Sequence, residues 1–122
     1  MKFCWSTINV KNLEETIDFY ESIIGLRVMR RFVAGPKTEI AFLGDGRSTE
    51  LEFIFNEDHK DIGFGSDISW GFEVESVDEM VELAKEKGIE ILSEIISPNP
   101  SIRFFFIKDP NGLRIQLVEN LA

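Results

Sequence analysis

The sequence predicts an α+β protein of two tandem βαβββ units, arranged as an open mixed-sheet barrel around a concave pocket. Three observations predict this. The pattern of Asn9 to Glu15 recurs as Glu73 to Glu79, and at the same offset of 64 residues Phe42 meets Phe106, Asp45 meets Asp109 and Glu52 meets Gln116. Each copy holds one segment of helical period, capped in front and stopped by glycine behind, followed by three strand-like runs. Four strands and one helix leave one sheet face bare, and a bare face must be buried by the other unit, a second chain or a ligand.

The first unit, residues 1–56, opens with a strand over about 2–10. Its alternation sets Phe3, Trp5, Thr7 and Asn9 apart from Cys4, Ser6, Ile8 and Val10. Ile8 and Val10 belong to the side that a helix covers, and Trp5 to the other. Asn12 caps the helix with Glu15 as its reciprocal partner; Leu13, Ile17, Tyr20 and Ile24 form the apolar stripe, and Gly25 ends it. Strands follow at about 26–34, 37–43 and 49–55, separated by Gly35-Pro36 and Gly44-Asp45-Gly46.

Residues 57–67 are polar and glycine-rich and read as a linker within one domain spanning 1–122. The second unit, 68–122, repeats the order. A strand over about 68–75 precedes the capping box Ser76-Val77-Asp78-Glu79. Val77, Met80, Val81 and Ala84 make the buried stripe, Gly88 stops the helix, and strands are expected at about 89–96, 102–107 and 113–119. The turns between them are Pro98-Asn99-Pro100 and Asp109-Pro110-Asn111-Gly112.

Composition narrows the function classes. An apolar share of 43% with 11 Phe argues for a folded core and against disorder. No apolar run approaches the ~20 residues that span a bilayer, and no signal-peptide pattern opens the chain. A single cysteine forms no internal disulfide, which favours the cytoplasm. A net charge of −9, without a basic cluster longer than Arg30-Arg31, argues against nucleic acid as a partner. Most of the acids lie on the two helices and in the 56–61 loop, where solubility accounts for them.

Three stretches resemble the vicinal oxygen chelate superfamily: Leu13 to Tyr20 followed by Ile24-Gly25-Leu26; Trp70 to Val74 followed by Ser76-Val77-Asp78; and Asp109 to Gly112 followed by Ile115-Gln116-Leu117. That superfamily contains glyoxalase I, extradiol dioxygenases, fosfomycin-resistance thiol transferases and bleomycin-resistance proteins. The resemblance covers nearly the whole chain and implies the paired βαβββ fold and a small-molecule ligand; a homodimer is expected because it completes the burial of the bare sheet faces. Its metal-dependent members place ligands on the first and last strands of each unit. Carried over, those positions are Trp5 and Ser69 on first strands, and Glu52 and Gln116 on last strands.

These four residues make a degenerate metal set. A divalent transition ion needs several imidazole, carboxylate or thiolate donors at about 2.0–2.3 Å. Trp5 offers only an indole N–H, Ser69 a neutral hydroxyl and Gln116 a neutral amide. Only Glu52 is a strong ligand, so no cofactor is expected, with a weak divalent site at Glu52 and Gln116 left open.

The same residues carry the ligand-binding expectation, together with Arg114, which shares the parity of Gln116 and suits an anion or a surface ion pair. Glu52 is a candidate base or the partner of a ligand cation or hydroxyl; alternatively it is an ancestral ligand hydrogen-bonded to Gln116 or an arginine. Trp5 is a stacking platform or a plug in the space a metal once took. His59 reads as a solvated loop residue, and Cys4 as a buried structural thiol on the helix side. Two functions follow: a small-molecule binder without the family's metal, or a glyoxalase I-like lyase or isomerase (lactoylglutathione lyase type) with a divergent site using Glu52 as base.

Overall fold

The structure, a computed structural model, describes residues 1–121. The chain divides into two compact units, Met1–Gly63 and Phe64 onward.

The first unit runs β1 (Trp5–Asn9), α1 (Leu13–Phe19), a single π turn (Tyr20–Ile24), β2 (Arg27–Val33), β3 (Thr38–Gly44) and β4 (Glu50–Asn56). Its sheet order is β1-β4-β3-β2, with β1 parallel to β4 and the other pairs antiparallel. Asn12 caps α1 as expected: its side-chain oxygen accepts from the Glu15 N–H at 2.9 Å. Gly25 ends the helical segment at φ 89°, in the left-handed region open to glycine. The apolar stripe holds through Leu13, Ile17 and Tyr20, but the wider π turn breaks the 3.6-residue phase, and Ile23 rather than Ile24 is buried. This stripe packs on β3 and β4 against Ala41, Leu43, Leu51 and Phe53, all buried.

The second unit runs β5 (Ser69–Glu73), α2 (Val77–Glu86), β6 (Ile96–Asn99), β7 (Ile102–Lys108) and β8 (Arg114–Asn120), with sheet order β5-β8-β7-β6. Here too the first strand pairs in parallel with the last. Ser76 caps α2 by accepting from the Glu79 N–H at 3.2 Å. Val77 and Ala84 are buried, while Met80 and Val81 are half-buried.

One expected element is displaced. The strand predicted over 89–96 is only an isolated bridge, Ile91 to Ile107, and the ladder forms instead at Ile96–Asn99, where a turn was predicted. Ser93 accounts for the interruption. Its Oγ accepts the Phe106 N–H at 3.1 Å, so a side chain takes the donor that a continuous ladder would pair with a carbonyl. Pro98 is tolerated because β6 is an edge strand, where a missing N–H leaves no partner unsatisfied. The chain turns after it, with Asn99 Oδ1 accepting from the Ser101 N–H at 2.8 Å. The first strand is also shorter than predicted, starting at Trp5 rather than near residue 2.

No described helix is long and apolar enough to cross a membrane.

Candidate functional site

In the first unit, alternation on β4 decides what faces where. Leu51 and Phe53 are buried toward the helix, so Glu50, Glu52 and Ile54 lie on the opposite face. The parallel register sets Trp5 opposite Glu50 and Thr7 opposite Glu52. Thr7 Oγ1 donates to Glu52 Oε1 at 2.6 Å. The carboxylate expected to meet Gln116 or an arginine thus has a hydroxyl partner on the neighbouring strand.

Trp5 is 46% exposed and meets Phe42 edge-on, with ring centroids 5.2 Å apart. Arg30 covers the same ring: its Cζ lies 4.1 Å from the Phe42 centroid. Between them these neighbours bury Phe42 to 5% exposure on a face that mixes apolar and charged side chains. Arg30 is held in place by Glu50, donating from Nη2 at 2.8 Å and from Nη1 at 3.4 Å. A bulge aims it there. Val28 pairs with Leu43 and Arg30 with Phe42, so Met29 is the extra residue of β2.

Thr7, Arg30 and Glu50 were not among the residues singled out from the sequence. Thr7 and Glu50 had a usable signal, since they share strand parity with Trp5 and Glu52. Arg30 had none, because a bulge shifts the parity of β2.

In the second unit, Ser69 lies opposite Arg114 and Gly71 opposite Gln116. A Cβ on Gly71 would stand 3.2 Å from Gln116 Oε1, so the bare glycine lets the amide lie against the strand. Arg114 Cζ sits 4.2 Å from the Phe106 centroid, repeating the guanidinium-on-phenylalanine stack of the first unit. Trp5 and Glu52 are thus on neighbouring strands of one sheet, and Ser69, Gln116 and Arg114 on neighbouring strands of the other.

Two other residues have clear places. Cys4 is exposed rather than buried on the helix side. The ladder begins at Trp5, so alternation does not extend to residue 4, and the thiol lies 3.6 Å from the Lys2 carbonyl. His59 sits in the turn after β4, its N–H donating to the Asn56 carbonyl at 3.0 Å, and is exposed.

Two further charge clusters tie a helix to its sheet. Arg31 bridges Glu14 in the first turn of α1 and Glu39 on β3, and is held above its ordinary pKa by those hydrogen bonds; Glu14 is held below its own by Arg31. Arg103 pairs with Asp78 at 3.0 Å and Glu119 at 3.8 Å, lowering Asp78. Asp45, accepting from the Ser48 and Arg47 N–H groups, is lowered to about 2.

The residues at the four positions do not fit a divalent transition ion. Trp5 has no lone pair to give, Ser69 and Gln116 are neutral, and one oxygen of the single carboxylate already accepts from Thr7. Among the described residues no three of His, Cys, Asp or Glu gather in a ligating group.

Comparison with known proteins gives a consistent picture. The model of the Glyoxalase/Bleomycin resistance protein/Dioxygenase superfamily matches residues 3–117. The chain is 33% identical over 120 residues to a probable chloroplastic lactoylglutathione lyase of Arabidopsis thaliana, covering 90% of this chain but only 33% of that protein. It is 28% identical to the lactoylglutathione lyase of Neisseria meningitidis, covering 98% of this chain and 91% of the relative. Among solved structures, the trypanothione-dependent glyoxalase I of Leishmania major superposes with a TM-score of 0.84 at 26% identity, covering 98% of this chain and 86% of that one. With that match and a βαβββ arrangement in each of its units, this chain belongs to the Glyoxalase/Bleomycin resistance protein/Dioxygenase superfamily.

Proposed function

We propose that this protein binds a small organic molecule without a tightly held transition metal. The ligand-contacting residues are Trp5 and Glu52 in the first unit, and Ser69, Gln116 and Arg114 in the second. One observation carries the reading: of the four positions where the family's metal ligands would stand, only Glu52 is a strong donor, and it is hydrogen-bonded to Thr7 beside a half-exposed indole. That chemistry suits recognition better than Lewis-acid activation. Trp5 supplies a flat apolar surface, Glu52 and Gln116 supply hydrogen bonds, and Arg114 supplies a fixed positive charge.

The test has two parts. Elemental analysis of protein purified without chelator is expected to show far less than one Ni, Zn, Fe or Mn per chain. A near-stoichiometric ion that disappears in Glu52→Ala would overturn the metal-free reading. Tryptophan emission titrated against a panel of small molecules is expected to respond to a subset of them, and Trp5→Phe to abolish the response.

A second reading is favoured by the curated relatives, which are named lactoylglutathione lyases, and by the retained carboxylate. In it Glu52 acts as a base in a lyase or isomerase of that type, its position fixed by the Thr7 hydroxyl. Formation of lactoylglutathione at enzymatic rates, lost in Glu52→Gln with binding retained, would establish it.

We also propose a homodimer. Phe32 and Val33 on β2 are 45% and 73% exposed, more apolar surface than an edge strand ordinarily leaves to water. Sedimentation velocity is expected to give twice the 14.0 kDa chain mass.

A further inference from the structure

The first unit contains a cavity of about 310 Å³ whose wall includes Lys2, Cys4, Trp5, Arg30, Arg47 and Glu50. Its charge runs against that of the chain. The whole protein carries −9, yet this wall presents three cations and one carboxylate. The carboxylate is already engaged, since Glu50 accepts twice from Arg30. The nearest other acid in sequence, Asp45, is also occupied: it accepts from the main-chain N–H groups of Arg47 and Ser48 and from the Ser48 hydroxyl. Lys2 and Arg47 form no ion pair with any described residue. Arg27 packs behind the same turn, its Nη2 2.8 Å from where a Cβ on Gly46 would stand, and adds a further positive charge.

We infer that the small molecule bound by this unit is an amphipathic anion, its carboxylate or phosphate seated by Lys2 and Arg47 and its apolar body lying on Trp5. This rests on the small-molecule reading above and specifies its ligand class. The chain as a whole is acidic, and the local balance at this cavity is the opposite. Arg30 supports the site without being free to move, because Phe42 beneath it and Glu50 beside it fix its plane. Lys2 and Arg47 are the free charges. Arginine supplies paired donors that match the oxygens of carboxylate and phosphate, and lysine adds a mobile point charge. Trp5 and Met29 form the apolar part of the cavity wall.

Cys4 is the only cysteine, lies in the wall and is exposed, so its alkylation rate reports occupancy. Three probes of one size separate the possibilities: phenyl phosphate, benzyl alcohol and phenyltrimethylammonium. Neutral iodoacetamide is the reagent, with modification followed by intact mass. Phenyl phosphate is expected to slow alkylation about fivefold or more, the two others less than about twofold, and the protection to fall at about 1 M salt. Lys2→Glu and Arg47→Glu are expected to lose the protection while keeping the circular dichroism of the parent. Protection that persists in both charge-reversed proteins overturns the inference. So does equal protection by the alcohol or the ammonium probe, which leaves small-molecule binding itself standing. A change in tryptophan emission without protection of Cys4 places the anion elsewhere and overturns the inference alone. If no probe protects Cys4 or moves the emission, the inference falls, while the small-molecule reading is decided separately by the panel titration.

Discussion

Glu52 accepts the hydroxyl of Thr7 across β1 and β4, whereas its counterpart 64 residues on, Gln116, lies against the bare strand at Gly71. Glu50, which anchors an arginine over Phe42, is replaced at the same offset by Arg114, which itself covers Phe106. On the helix side no such divergence occurs. Ala41 and Phe105, Leu43 and Ile107, Leu51 and Ile115, and Phe53 and Leu117 are all buried pairs at that offset. A packed face must stay apolar and filled as a whole, even where single side chains differ as Ala41 and Phe105 do, because every unfilled methylene leaves a void. The face away from the helix is under no such demand, and two copies of one unit have come to carry different chemistry there.

The largest expected effect is therefore on the shared side. Phe53→Ala is expected to cost about 3–5 kcal/mol and Leu117→Ala about 2–5 kcal/mol, read as loss of urea midpoint. On the divergent face Glu52→Ala removes one partly exposed hydrogen bond and is expected to cost about 0.5–1.5 kcal/mol. A Glu52→Ala loss as large as that of Phe53→Ala would break the contrast between the faces.

The next effect compares two turns. Asp45 and Asp109 hold equivalent places, each accepting from two main-chain N–H groups at 2.8 Å, but Asp45 is exposed and Asp109 is buried to 5%. Asp109→Ala strands two buried donors and is expected to cost about 2–4 kcal/mol. Asp45→Ala leaves its donors to water and is expected to cost less. The difference between wild type and Asp45→Ala should depend on pH. Asp45 is depressed to about 2 from an ordinary 3.8, so its contribution is full above 3.8 and is lost as pH falls through about 2. A difference that stayed constant across that window would show that the charge plays no part in holding the turn.

Much of this was legible in the sequence where the cause is local. Asn12, Ser76, Gly25 and Gly88 marked the helix ends because capping and left-handed termination are decided within four residues. The strand expected over 89–96 was not legible, because Ser93 takes a donor from Phe106, a partner known only once β7 is in place. The site divided in the same way. Strand parity placed Trp5 and Glu52 on one face correctly. The Thr7 partner depended on the parallel register of β1 with β4, and Arg30 on a bulge in β2.

The smallest effect concerns two tethers between helix and sheet. Glu14 and Asp78 stand 64 residues apart, each in the first turn of its helix, and each is held below its ordinary pKa by an arginine from the sheet. The arginines come from different places. Arg31 is on β2 and shares itself with Glu39, whereas Arg103 is on β7 at the position equivalent to Glu39 itself. The helix ends kept their acid, then, and the sheets found their cation on different strands. Both tethers are exposed, so their effect on stability is expected to be slight and to fade at high salt. A depressed carboxylate contributes above its unfolded pKa and ceases to contribute as pH falls through the folded value, so both tethers loosen in acid and neither does in base. Carboxyl-detected NMR titration reads this directly. Arg31→Gln is expected to return Glu14 to its ordinary range and leave Asp78 depressed, and Arg103→Gln to do the reverse. If either substitution moved both carboxylates, the two tethers would not be independent solutions to one local problem.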